Sequence, residues 1–426
     1  MDLIKRKILI FFISILTFSN LFGIDSSLEN RINREIERLK NKLITIRRQI
    51  HQNPELSNRE FKTSRFVAEH LKKLGLEVKT GIAHTGVVGL LKGTQPGTTV
   101  ALRADMDALP IQELNDIPYK SKRKGVMHAC GHDVHMTVAL GVAMVLSRMR
   151  DEIKGNIKFI FQPAEEGAPP GEEGGASLMI KEGVLENPKV SAIFGLHVFP
   201  LLNVGTIGYR PEAFMAQSNR FEIEIIGKGA HGATPHLGID AVVIASEVVL
   251  ALQTIPSRQI DAREPVVLSV GIIEGGNRFN IIADKVRLVG TVRVFSKEMS
   301  REVKEKMEKI IKGITESYGA SYKFQYVEGA PPVHNDPSLT RESIKVIEKI
   351  IGSKNVILLK PQMVAEDFSY YGVKIPSFFY FLGVRNEKKG ITHMLHTPYF
   401  NVDEECIPIG IRLMCNLLFA YLEKYQ

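Results

Sequence analysis

Apolar residues recur at helical spacing among Lys, Arg and Glu over residues 28–50, and the run stops ahead of Pro54, so a helix is expected there. A second helix is expected over 60–74, closed by Gly75. The short apolar runs 87–91 and 99–103 read as buried strands, and the second opens into Asp105 and Asp107. Residues 134–149 form an apolar helix. The strand 156–161 then feeds Pro163, Ala164, Glu165 and Glu166, and the strand 192–196 ends on His197. Strand and helix alternating in this order imply an α/β fold, a mainly parallel sheet with helices on both faces. In such sheets ligands gather beyond the strand ends.

The pattern changes near Arg210. Strands are expected over 221–226, 266–273, 286–295 and 322–327, with helices over 240–255 and 301–318. That β-α-β-β-α-β order is the ferredoxin-like split unit. The α/β pattern resumes after about Ala330, with strands over 355–359 and 378–382, a loop carrying His393 and His396, and a helix over 407–425. The expected organisation is a signal segment at 1–23, a catalytic domain in two parts at 28–210 and 329–426, and an inserted α+β domain at 211–328. The glycine-rich stretch 167–175 reads as a loop, and no internal repeat is present.

With 44% hydrophobic and 24% charged residues, 426 residues can bury a large core as an ordinary globular chain. The formal charge of +8 is spread among glutamates without interleaved aromatics, so nucleic acid is not an expected partner. Lys5, Arg6 and Lys7 precede an apolar run at 8–16 that is too short to span a bilayer, which reads as an export signal. The expected location is periplasmic or secreted, with no stable membrane insertion once the signal is removed; a retained N-terminal anchor is the other reading. Cys130, Cys406 and Cys415 are an odd set with no disulfide framework, and the last two suit core packing in the C-terminal helix.

The densest chemistry is His-Ala-Cys-Gly-His-Asp-Val-His at 128–135. Glycine between Cys130 and His132 lets both donors turn to one point. Cys130, His132, Glu166, His197 and His396 offer a thiolate, three imidazoles and a carboxylate, a set suited to Zn²⁺, Mn²⁺, Co²⁺ or Ni²⁺. Five such ligands suffice for two ions with a shared water. Of the adjacent glutamates, Glu166 would ligate and Glu165 would serve as the base. Asp107 either orients a histidine or the base, or caps a turn. His135 and His393 read as supporting groups or as ordinary loop and core histidines.

The segments Arg-Ala-Asp-Met-Asp-Ala-Leu-Pro, His-Ala-Cys-Gly-His-Asp-Val-His, Phe-Gln-Pro-Ala-Glu-Glu-Gly, Gly-Leu-His-Val, Gly-Ala-His-Gly-Ala-Thr-Pro-His and Leu-His-Thr-Pro occur in this order. Together they resemble the amidohydrolase branch of the aminoacylase and carboxypeptidase family of metallopeptidases, over essentially all of the chain after the signal. The resemblance implies a two-metal catalytic domain and an inserted lid that makes a homodimer. It places the ligands on Cys130, His132, Glu166, His197 and His396 and the base on Glu165. Where the wider clan has a histidine ligand this chain has Asp105, which is therefore left out of the ligand set. The resemblance also implies that His231 of the lid stabilises the oxyanion, that Asn280 binds near the substrate carboxylate, and that Arg293 pairs with that carboxylate.

The expected activity is hydrolysis of the amide bond of an N-acyl amino acid or short peptide by glutamate-assisted water attack at two ions. Two other readings stand beside it. Cys130 would be a nucleophile with His132 as its base, or the fold would bind metal or acyl amino acids without catalysis.

Overall fold

The computed structural model describes residues 26–425, so the expected signal segment lies outside the described residues. Eight strands form the larger sheet, in the order Glu77–Ile82, Gly86–Lys92, Lys154–Gln162, Gln95–Asp105, Ala192–Asn203, Ser377–Arg385, Ile207–Tyr209, Val356–Leu358. The four central strands, from Lys154–Gln162 to Ser377–Arg385, pair in parallel. Antiparallel pairs occur towards the edges, where Glu77–Ile82 meets Gly86–Lys92 and Ile207–Tyr209 meets Ser377–Arg385. Ser377–Arg385 comes from the C-terminal part of the chain and Ala192–Asn203 from the N-terminal part, so the sheet is built from both.

Alternate residues of each central strand serve two separate cores. Leu102, Phe194 and Phe378 pack on one face beneath the helices Ser26–His51, His132–Leu146 and Cys406–Lys424, whereas Ala101, Ile193 and Phe379 pack on the other. Each fully buried phenylalanine contributes about 1.5–3 kcal/mol relative to exposure. Among the described residues, two helical stretches, Ala241–Gln259 and Cys406–Lys424, are long and apolar enough to cross a membrane; Cys406–Lys424 lies mostly inside this core. Cys406 and Cys415 are free and buried there, as packing groups.

Between the two parts, four strands form an antiparallel sheet in the order Val267–Gly275, Lys285–Val294, Gln217–Ile226, Ser321–Glu328. The helices Ala241–Leu252 and Lys297–Ser317 bury Ile244, Val248, Val303 and Met307 against it. This is the ferredoxin-like order expected from the pattern.

The details differ, and the 15-residue helix Pro337–Ile351, which buries Leu339, Ile344 and Ile347, is not among the expected elements. His197 does not end its strand: the strand runs on to Asn203, because Val198, Leu201 and Leu202 continue an apolar run. Residues 167–175 are not wholly loop, since Gly175 begins a short helix, Gly175–Lys181. The edge strand Glu77–Ile82 is mostly exposed and offers only Val78 and Ile82 as apolar residues, so the hydrophobic pattern marks it weakly.

Candidate metal centre

Cys130 and His132 flank Gly131, which takes φ 84° ahead of the helix His132–Leu146. A Cβ on this glycine would stand 2.4 Å from Val198 Cγ2, so the close turn that joins both donors to the sheet requires glycine. His197 enters from the Ala192–Asn203 strand, and Glu165 and Glu166 follow the Lys154–Gln162 strand. His396 arrives on a loop in the left-handed region, φ 60°, with its N–H donated to Ala129 O at 2.9 Å.

All five expected ligands and the expected base meet. Cys130 Sγ lies 3.3 Å from His197 Nε2 and 3.2 Å from His396 Nε2. His396 Nε2 lies 3.2 Å from Glu166 Oε1, and His132 Nε2 lies 3.9 Å from Glu165 Oε2. Cys130, His132 and His197 present donor atoms within 4.8 Å of one another, as do Cys130, Glu166 and His396, and as do His132, Glu165 and Glu166.

The far sides of the rings are tied. His132 Nδ1 contacts Asp107 Oδ1 at 3.1 Å, and His197 Nδ1 donates to Val198 O at 2.7 Å. Each Nε2 is thereby left to face the centre, the arrangement metal-bound histidines use. His132 Nε2 is buried and has no hydrogen-bond partner among the described residues. An orphaned buried nitrogen beside a thiol, two further imidazoles and two carboxylates fits a divalent cation.

Without an ion the buried groups shift one another strongly, and ligation would require His132 and Cys130 to give up their protons. Burial works against a charge on His132, but Asp105 and Asp107 outweigh it and hold its pKa up at about 10. Burial and the neighbouring His135 push His197 well down, so its ring is neutral. Burial, with Glu366, Glu166 and Asp367 nearby, drives the Glu165 carboxyl well above the ordinary range. Burial and the carboxylates of Glu166 and Glu165 push the Cys130 thiol well up. A thiol nucleophile and a metal-bound thiolate both need the opposite shift; a bound cation would supply it for the ligand, whereas burial and the two carboxylates withhold it from a nucleophile.

Asp107 orients His132 and also accepts the Glu166 N–H at 3.0 Å and the Ser57 hydroxyl at 2.8 Å, so it is no mere turn cap. His135 is a supporting group: its Nδ1 meets Asp105 Oδ1 at 2.6 Å and its Nε2 accepts the Val198 N–H at 2.9 Å. Asp105 is turned to His135 and to the Arg103 guanidinium at 2.5 Å. His393 stacks near the Tyr399 ring, centroids 5.4 Å apart.

The structure does not bring His231, Asn280 or Arg293 into this group: among the described residues no hydrogen bond or ion pair links them to it. His231 is exposed on a two-residue strand paired with Ile281–Ile282, and Gly232 N–H donates to Asn280 O at 2.9 Å. Asn280 Oδ1 is buried without a hydrogen-bond partner among the described residues. Arg293 is half-buried on the Lys285–Val294 strand and makes no ion pair among the described residues.

Pattern reading missed a buried acidic network behind the base. Arg103 binds Asp105, Glu366 Oε1 at 2.9 Å, Asp367 Oδ1 at 2.8 Å and Gln162 Oε1 at 2.9 Å. Glu165, Glu366 and Asp367 present oxygens within 4.8 Å of one another. The one sequence signal for it was the acid pair Glu366-Asp367 after apolar Val364 and Ala365.

The model of peptidase family M20/M25/M40 matches residues 101–420. Thermostable carboxypeptidase 2 of Saccharolobus solfataricus is 42% identical over 399 residues, covering 93% of this chain and 100% of that protein. N-acetyl-L-cysteine deacetylase of Bacillus subtilis is 40% identical over 369 residues, covering 87% of this chain and 85% of that protein. The crystal structure of the Bacillus subtilis YXEP protein, a dinuclear metal binding peptidase from the M20 family, is similar with TM-score 0.78 at 35% identity, covering 91% of this chain and 99% of that one. Sequence, fold and centre agree: the chain belongs to peptidase family M20/M25/M40 and is a metal-dependent hydrolase of amide bonds.

Proposed function

We propose that this protein hydrolyses the amide bond of N-acyl amino acids or short peptides bearing a free carboxylate, with two divalent ions held by Cys130, His132, Glu166, His197 and His396. The observation that carries this reading is the gathering of those five donors into overlapping clusters that share Cys130, with Glu165 beside His132 and Glu166. The mixed thiol, imidazole and carboxylate set favours Zn²⁺, Mn²⁺, Co²⁺ or Ni²⁺. Bound ions supply Lewis acidity and lower the pKa of water.

Glu165 takes a proton from the attacking water and later gives one to the leaving nitrogen. Its raised pKa suits both halves of that transfer. Asp107 and the Val198 carbonyl hold His132 and His197 with Nε2 forward. His231 accepts the Ala233 N–H on Nδ1 at 3.0 Å, which leaves Nε2–H free to donate to an oxyanion. Arg293, half-buried and without an acidic partner among the described residues, suits the carboxylate end of the substrate, and Asn280 Oδ1, buried and unpaired among those residues, suits an N–H donor of the substrate near that end. The carboxypeptidase and deacetylase relatives support this substrate class.

His231 reaches a centre only by movement of its layer or from a second copy of the chain. The apolar face formed by Val242, Val243, Leu250 and Ile273 supports a homodimer through that layer, since each is exposed by 46% or more. Sedimentation at micromolar protein is expected to show the dimer, and a monomer at every concentration removes this part of the proposal.

The base assignment is tested by Glu165→Gln. Turnover of an N-acyl amino acid is expected to fall about 10²- to 10⁴-fold with the ion content unchanged. Near-normal turnover ends the assignment.

A further inference from the structure

Glu60 stands at the start of the helix Phe61–Lys73 but does not cap it with its side chain. Glu55 takes that duty, its Oε2 accepting the N–H groups of Lys62 and Thr63 at 2.8 and 2.9 Å. The Glu60 side chain is free to turn inward, and the residue is fully buried. One oxygen accepts the Ala164 N–H at 3.0 Å, and the other accepts the Thr85 hydroxyl at 2.6 Å.

Ala164 is held at φ 52°, a left-handed conformation that disfavours any residue with a Cβ. Two residues on, the Glu166 N–H is held by Asp107 Oδ2 at 3.0 Å. The turn that carries Glu165 is therefore clamped on both sides by buried carboxylates. The two glutamates leave it towards different partners, Glu165 towards His132 and Glu166 towards His396.

We infer that Glu60 is a positioning residue for the reaction: through the Ala164 N–H, and itself oriented by Thr85, it fixes the turn that aims Glu165 at the water and Glu166 at the ions. The inference rests on the proposed roles of Glu165 and Glu166. A packing role alone explains Glu60 poorly. Burial and the nearby Asp107 push its pKa up to about 7, so the buried carboxyl carries a desolvation cost that its bonds to Ala164 and Thr85 offset.

The test compares Glu60→Ala, Glu60→Gln, Thr85→Val and Glu165→Gln in the full chain loaded with Co²⁺, reading kcat, KM, the Co²⁺ absorption spectrum and the melting temperature. Glu60→Ala is expected to lower kcat about 10- to 100-fold, the range for groups that orient a metal site, with KM little changed and the spectrum altered. Glu60→Gln keeps an oxygen for Ala164 and an amide for Thr85, and restores kcat to within about threefold of wild type. Thr85→Val leaves Glu60 in place, shifts kcat and spectrum in the same direction by less, and carries the test if Glu60→Ala does not fold. A merely structural role moves the melting temperature alone. Wild-type kcat and spectrum in Glu60→Ala and Thr85→Val, beside an inactive Glu165→Gln, overturn the inference and leave the base assignment standing. An active Glu165→Gln overturns the base assignment itself, and an unaltered spectrum in Glu60→Ala then removes the remaining role in aiming Glu166.

Discussion

The two sheets handle charge in opposite ways. Beneath the eight-stranded sheet, Arg103 and Asp105 pair with both side chains wholly out of solvent, and Arg47 and Asp133 pair at 1% exposure each. On the four-stranded sheet the pairs lie on the open face: Arg287 and Glu222 are 35% and 29% exposed, and Lys323 beside Glu224 is 69% exposed. Buried pairs lose much of their attraction to desolvation and add little net stability over an apolar core. Their concentration around Cys130, His132 and Glu165 therefore marks where charge has work to do. The second sheet contributes surface, with exposed apolar residues on its helix and an exposed His231 outside the pairs.

This contrast breaks first at Arg103. Arg103→Leu removes the guanidinium that Asp105, Glu366 and Asp367 share and is expected to cost about 3–5 kcal/mol in urea denaturation. Arg287→Leu, on the exposed face, is expected to leave the urea midpoint where it is. Equal losses at the two positions would show that burial does not separate the sheets. Acid gives the next, smaller effect. Burial opposes the Asp133 charge, but Arg47 and His51 outweigh it and hold this carboxyl far below the ordinary range. A depressed pKa contributes stability that is complete above the unfolded value near 4 and is lost as pH falls through the folded one. Stability is thus expected to decline below about pH 4, and Asp133→Asn to be less stable at neutral pH with a shallower acid limb. An acid limb identical to wild type in that variant would place the loss elsewhere.

The centre was legible because its strongest signal is local. Cys130 and His132 are separated by a single glycine, and Glu165 and Glu166 follow an apolar strand directly, so neither needs tertiary knowledge. The β-α-β-β-α-β order was legible for a similar reason: amphipathic strands with one buried face alternate visibly. What supports the centre was not legible. Glu60 meets Ala164 across 104 residues and Arg103 meets Glu366 across 263, and a lone Glu at a helix start reads as a cap. Asp107 and His135 were left undecided for want of partners that only the folded sheet supplies. The pairing of His231 with Ile281 spans a strand of two residues, too short for any hydrophobic period.

The proposed hydrolysis with two ions at the five gathered donors can be decided on one sample of wild type. Ion content and turnover of an N-acyl amino acid are measured before chelation, after it, and after reloading with Zn²⁺, Mn²⁺ or Co²⁺. Two ions per chain are expected at full activity, with turnover that falls away as they are removed and recovers on reloading. Turnover that persists in protein stripped of metal would contradict the proposal.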